Sequence, residues 1–218
     1  MKQRILIFGG GSQAKVIIDL IEQCGHYDIA GVVDERLKVT KRIRGYQILS
    51  NKLDRTLLKK TPFGFVAIGD NWIRKQFVER ISREVPEFQF PPLIHPSSDI
   101  SPSTKIGSGT VVMAGTTITN DTIIGNHCIV NTGANVDHDC ILEDFVSIGP
   151  GCTLGGSVVV SFCSAVALGA NVIHERTIGP HSIIGAGATV LKDIPSHCTA
   201  YGTPARVVRK RRIGDPYL

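Results

Sequence analysis

The 218-residue chain predicts two domains of different class: an α/β domain over residues 1–92, then an all-β parallel β-helix over residues 93–218. Three observations carry this reading. Apolar strands alternate with amphipathic helices in the first part, a glycine-rich turn joins the first strand to the first helix, and from Ile100 onward every sixth residue is aliphatic.

In the first part, "RILIFGG" is a short apolar strand, and "AKVIIDLIEQCG" has helical spacing with a glycine to stop it. "IAGVVDE" is a second strand, "FGFVAIGDN" a third, and "WIRKQFVERISREV" an amphipathic helix. A strand that runs through "GGGSQAK" into a helix gathers backbone N–H groups and the positive helix end at one point, which suits a phosphate or pyrophosphate. Gly9-Gly10-Gly11-Ser12-Gln13-Ala14 fits the Rossmann-like pattern G-x-G-x-x-A, although a tight turn that binds nothing fits it too. Asp34, at the end of the second strand, is placed to accept hydrogen bonds from a ribose or a base. So short a domain holds half of a dinucleotide fold, so a mononucleotide-sized ligand is expected and an NAD-linked oxidoreductase is disfavoured.

The second part follows a different rule. Every sixth residue from Ile100 to Val190 is Ile, Val or Leu, and the residue four places after each of the first fifteen of these sixteen is small, with Arg176 the exception. A six-residue period means short strands joined by bends, each sending one aliphatic and one small residue inward, with stacked coils burying what one coil cannot. Cys128, Cys140 and Cys152 all fall on the small inward position and are expected in the core. Arg176 predicts that "VIHERT" bulges outward.

Charge and composition narrow the function. Of 24 basic residues, Arg206, Arg209, Lys210, Arg211 and Arg212 cluster in the tail, and the remainder match the 19 acidic ones. A neutral body with 6% aromatics disfavours nucleic-acid binding, and the tail is read as a solvated face or a phosphate contact. The opening lacks an export signal and no run is long enough to insert in a membrane, so a cytoplasmic protein with free thiols is expected.

"NTGANVDHDCIL" places His138 between Asp137 and Asp139 at a bend between strands. His138 lacks convergent partners at ligand spacing, so no metal site is expected. With Cys140 directed inward, a Cys–His nucleophilic pair is the weaker reading. A general base and a solvated corner remain open.

The hexapeptide register resembles the left-handed β-helix of the acyltransferases that use acetyl-CoA. More narrowly, "IFGGGSQAKVIIDLI", "VVDE", "VAIGDNWIRK", "LIHPSSDIS", "NTGANVDHDC", "GGSV" and "YGTPARVVRK" resemble the bacterial PglD/NeuD-like family of sugar-nucleotide acetyltransferases, over nearly the whole length. That resemblance implies a Rossmann-like sugar-nucleotide-binding domain joined to a left-handed β-helix. It implies that Gly11, Ser12, Gln13, Asp34, Glu35 and Gly69 contact the sugar nucleotide. It makes His138 the general base and Asp139 the carboxylate that raises its basicity, while Ser147, Gly156, Leu168 and Ala186 line the acetyl-CoA groove. Members of this kind are homotrimers with active sites between subunits. Two departures stand out: the family usually carries histidines near the position of Gln13 and at that of Ser147.

The expected reaction is acetyl-CoA-dependent N-acetylation of a nucleotide-linked amino-deoxy-sugar, such as a UDP-4-amino-sugar, by direct transfer in surface glycan biosynthesis. The alternatives are O-acetylation of a sugar of the sialic-acid type, and a non-catalytic sugar-nucleotide-binding protein.

Overall fold

A computed structural model describes residues 2–216. The chain divides into two compact units, Met1–Leu93 and Ile94–Leu218.

The first unit is an open sheet in the order β3-β4-β2-β1-β5, built from β1 (Gln3–Phe8), β2 (Tyr27–Val33), β3 (Arg42–Ile43), β4 (Tyr46–Ser50) and β5 (Gly64–Val66). All pairings are parallel except β3 with β4. The run Ile5 to Phe8 is fully buried, as a central strand covered on both faces requires. Helix α1 (Ser12–Cys24) buries Ala14, Ile17, Ile18 and Ile21, the i, i+3, i+4, i+7 face of its sequence. Gly25 then adopts φ 67 and returns its N–H to the Ile21 carbonyl, which ends the helix. Helix α3 (Asn71–Glu84) starts at Asp70, whose carboxylate accepts from the N–H of Ile73. The sequence reading lacked β3, β4 and α2 (Arg55–Lys60). Among the named residues of β4 only Ile48 is buried, and in α2 only Leu58, so neither segment shows an apolar period.

The second unit is a parallel β-helix of two-residue strands. Each strand pairs with the one eighteen residues on, Ile123 with Ile141 and Ile141 with Val159 for example, so three strands and three bends make one coil. Three parallel sheets result, the third closing on an antiparallel pair, Cys198–Tyr201 with Arg206–Lys210. The sixfold aliphatics form one continuous core, complete from Val112 onward, with Ile100 and Ile106 partly buried against its first coil. The outward bulge expected at "VIHERT" is absent: Thr177 pairs with Val159 and Asn171 with Thr153 without a register shift. Arg176 keeps the hexapeptide step because its guanidinium donates to the His174 carbonyl at 3.2 Å and lies 3.7 Å from Asp193.

Where the small inward residue is Thr, Cys or Ser, it has a second role that the period alone does not show. Its side chain donates to a bend carbonyl, commonly fifteen residues on: Thr110 to Gly125 at 2.7 Å, Cys140 to Gly155 at 3.3 Å, Cys152 to Ala167 at 2.9 Å and Ser164 to Gly179 at 2.7 Å. Buried carbonyls need donors, which is why Thr, Cys and Ser recur there.

The basic tail is an exposed strand whose arginines are tied locally. Arg211 donates to the carbonyls of Asp215 and Pro216, and Arg209 lies 3.8 Å from the Asp215 carboxylate.

Candidate active site

The bends of the β-helix stack into three corners of different chemistry. At each, the third residue after the inward aliphatic takes a left-handed backbone. One corner is a file of glycines, Gly115, Gly133, Gly151, Gly169 and Gly187. A second carries a column of rings, with His127 stacked on Phe145 at 5.1 Å and His181 on His197 at 5.0 Å. The third carries Asp121, Asp139, Ser157 and Glu175 at the left-handed position, preceded by Asn120, His138, Gly156 and His174, of which all but the glycine are exposed.

The backbone of His138 is held in this third corner by both neighbouring coils. The left-handed conformation costs a non-glycine residue about 1–2 kcal/mol, and at Asp139 (φ 56) a corner hydrogen bond offsets it: the Asp139 N–H donates to the Asn120 carbonyl of the preceding coil at 3.1 Å. One coil further on, the N–H of Ser157 donates to the His138 carbonyl at 2.8 Å. Asp137 Oδ1 accepts both the backbone N–H of His138 at 2.8 Å and the hydroxyl of Thr119 at 3.1 Å. The two flanking carboxylates therefore divide their roles: Asp137 fixes the backbone, and Asp139 Oδ2 meets the imidazole Nδ1 at 2.8 Å. That hydrogen bond, followed by the charge of Asp137, holds the His138 pKa above its ordinary value, with slight burial opposing. The imidazole is half exposed, with side-chain accessibility of 51%, so its other nitrogen can reach a ligand.

Cys140 is fully buried two residues away. Burial pushes its thiol up to about 11, so it stays protonated near neutral pH and carries no nucleophile. Among the described residues no group of three or more His, Cys, Asp or Glu is arranged to hold a metal.

In the first unit a cleft of about 600 Å³ opens at the end of the parallel strands, lined by Gly9, Asp34, Glu35, Ile68, Phe77 and Arg80 among others. Its floor is built by Asp34, which is 5% exposed. Its Oδ2 accepts the N–H of Gly10 at 2.6 Å, and its Oδ1 accepts those of Arg36 and Leu37 at 2.8 and 3.0 Å. Asp34, expected to accept from a ribose or a base, is also a clamp that ties the glycine loop to the end of β2. Gly10 fits there because an added Cβ would come within 2.5 Å of Leu37 Cδ1. Glu35 is also engaged, with Arg80 of α3, at 3.1 and 2.5 Å. Gly11 precedes α1 without a side-chain cap, and Ser12 and Gln13 begin the helix. The Nε2 of Gln13 is buried and has no hydrogen-bond partner among the described residues. Gly69 is placed by Arg74, itself 1% exposed, which donates to the carbonyls of Ile68 and Gly69 at 3.0 and 2.9 Å. Neither the clamp at Asp34 nor the buried arginine was apparent in the sequence, where no local spacing marks them.

Of the four groove residues, Gly156 alone comes together with His138 within one chain. Gly156 lies on the His138 corner, whereas Leu168, 58% exposed, and Ala186 lie on the glycine corner. Ser147 sits on the sheet opposite the His138 corner and is 7% exposed.

A hexapeptide-type β-helix carrying a carboxylate-supported histidine, joined to an α/β unit with a glycine-loop cleft, is the architecture of a class of acyltransferases that take a thioester donor and a nucleotide-linked acceptor. Residues 4–81 match the PglD N-terminal domain. Over 94% of its length, and 96% of the relative's, the chain is 33% identical to GDP-perosamine N-acetyltransferase of Escherichia coli O157:H7. A crystal structure of a His-to-Asn variant of perosamine N-acetyltransferase from Caulobacter crescentus, in complex with CoA and GDP-perosamine, superposes with a TM-score of 0.89 at 37% identity, covering 94% of this chain and 97% of that one. The acetyltransferase domain of PglB from Neisseria gonorrhoeae, in complex with acetyl coenzyme A, gives 0.86 at 34% identity, over 95% and 100% of the two chains. Serine acetyltransferases match only in part: the chain covers 39% of the length of the one from Bacillus pumilus. The chain belongs to the PglD/NeuD-like family of hexapeptide acetyltransferases.

Proposed function

We propose that the protein transfers the acetyl group of acetyl-CoA to an amino group on a nucleotide-linked deoxy-sugar, in the synthesis of surface glycans. The observation that carries this reading is the His138–Asp139 pair, locked on an exposed corner of the β-helix. Neutral His138 takes the proton from the attacking amine through the ring nitrogen opposite Asp139, which stabilises the resulting imidazolium. Acetyl-CoA supplies the thioester carbonyl: the new C–N bond forms, the C–S bond breaks, and the thiolate leaves with the proton relayed from the base. Transfer is direct, in keeping with the protonated, buried Cys140.

In the first unit the glycine loop, the start of α1 and the cleft beside Glu35 hold the nucleotide, with Gln13 Nε2 donating to it and Asp34 shaping the loop; this unit is Rossmann-like and the β-helix left-handed. Because Gly156 and the Leu168–Ala186 pair occupy different corners, a groove that uses all three takes two copies, which favours active sites between the subunits of a homotrimer. An amine acceptor is favoured over a hydroxyl by the acidic corner: Asp137 and Asp139 flank His138, and Asp121 and Glu175 lie on other coils of the same corner, negative charge that draws an ammonium-bearing sugar.

Thiol release from acetyl-CoA, followed against UDP-, dTDP- and GDP-linked 4-amino-sugars, tests the reading. It requires release with at least one of them. Release only with hydroxyl acceptors would make the protein an O-acetyltransferase, and release with none a binding protein.

A further inference from the structure

The imidazole of His138 lies directly on Gly156, eighteen residues and one coil away. A Cβ added at Gly156 would stand 2.5 Å from both Cε1 and Nε2 of His138, and 3.1 Å from Nδ1. Atoms that close cannot coexist, so a side chain at 156 requires the ring to move. The backbone does not demand glycine there. Gly156 is outside the left-handed region, which its neighbour Ser157 occupies instead with φ 60. The equivalent positions of adjacent coils hold His138 and His174, so this corner position accepts large side chains. Glycine at 156 is explained by the ring that covers it.

The ring cannot easily settle elsewhere while keeping its partner. Its backbone is fixed by hydrogen bonds to Asp137, to Asn120 through Asp139, and from Ser157. Rotation of the side chain is the one freedom left, and rotating off Gly156 carries Nδ1 away from Asp139 Oδ2, now 2.8 Å distant.

We infer that Gly156 is a positioning residue for His138: the missing side chain is the seat that holds the imidazole against Asp139 and aims its other nitrogen. The inference rests on His138 acting as the base, and it gives Gly156 a role that does not depend on contact between its backbone and the acetyl donor.

The test is Gly156→Ala, read by NMR titration of His138 and by kinetics. The alanine suits the backbone, so its conflict is with the ring alone. A displacement of about 1 Å is enough to lower kcat about 100-fold, with KM for acetyl-CoA changed less than about twofold. The His138 titration should fall back toward about 6.5 as the Asp139 hydrogen bond is lost. In a His138→Ala background the same substitution should cost no further activity. Unchanged titration, or equal losses in both backgrounds, overturns the inference. Should Gly156→Ala fail to fold, the double variant with His138→Ala must fold, because the clashing ring is gone; a double variant that also fails overturns it. Retained activity in His138→Ala alongside a shifted titration in Gly156→Ala would sink the base assignment and leave the seat standing.

Discussion

Asp139 Oδ2 lies 2.8 Å from Nδ1 of His138, the residue immediately before it. Sequence neighbours seldom face each other in extended backbone, where successive side chains point to opposite faces. The left-handed φ of Asp139 turns its carboxylate back onto the ring. The pair is therefore a product of the bend, and the bend is a product of the six-residue step. Asp137, equally close in sequence, is used up on the backbone N–H of His138 and on Thr119.

The pH dependence follows from the raised pKa of His138. A base works in its neutral form, so kcat/KM rises with pH through that pKa, on the alkaline side of the ordinary histidine value of about 6.5. Asp139→Asn removes the carboxylate's contribution. Its acid limb should move to lower pH, and its plateau should fall by on the order of 10-fold or more. The sign for folding is opposite: a raised native pKa favours the folded state at acid pH, an advantage lost as pH rises through the native value.

Cys140→Ser should keep full activity, because a hydroxyl can still donate to the Gly155 carbonyl as Ser164 does to that of Gly179. Cys140→Val removes that donor and should lower stability by roughly 1–3 kcal/mol. Thermal unfolding of the two variants separates the outcomes, and loss of activity in Cys140→Ser would revive a thiol nucleophile.

Asp34→Ala deprives three backbone N–H groups of their acceptor. Hydrogen bonds to a carboxylate are worth about 1.5–3 kcal/mol each, and replacement by water offsets part of this, so a loss of about 2–4 kcal/mol is expected. Calorimetry should show sugar-nucleotide binding lost as well, with acetyl-CoA binding unchanged.

Gln13→Ala should behave differently. The Nε2 of Gln13 has no partner to lose in the unliganded protein, so stability should hold, whereas sugar-nucleotide affinity should fall about tenfold, the equivalent of one hydrogen bond of about 1.4 kcal/mol. Equal affinity in the variant would remove Gln13 from the binding site.

The sequence made the β-helix legible because its rule is local and repeated. Inward aliphatics at every sixth place, from Ile100 to Val190, need no knowledge of what they touch. The glycine loop and the strands β1, β2 and β5 were legible for a similar reason, as apolar runs bounded by glycines. What could not be read depends on partners distant along the chain. The carbonyl that an inward Thr, Cys or Ser satisfies is thirteen to fifteen residues away, and the ring that a side chain at Gly156 would meet is eighteen away. Arg176 breaks the small-residue rule without breaking the register, because its guanidinium reaches toward Asp193 and the strand continues.

The central claim is that His138 removes the proton of the acceptor. Thiol release from acetyl-CoA in the presence of a 4-amino-sugar nucleotide, compared between the unaltered protein and His138→Ala, tests it most directly. The account predicts a fall in kcat on the order of 1,000-fold, within the range for loss of a general base, with the unfolding temperature and assembly state unchanged. A His138→Ala enzyme that turns over within about threefold of the unaltered protein, far less than any general base supplies, would contradict it.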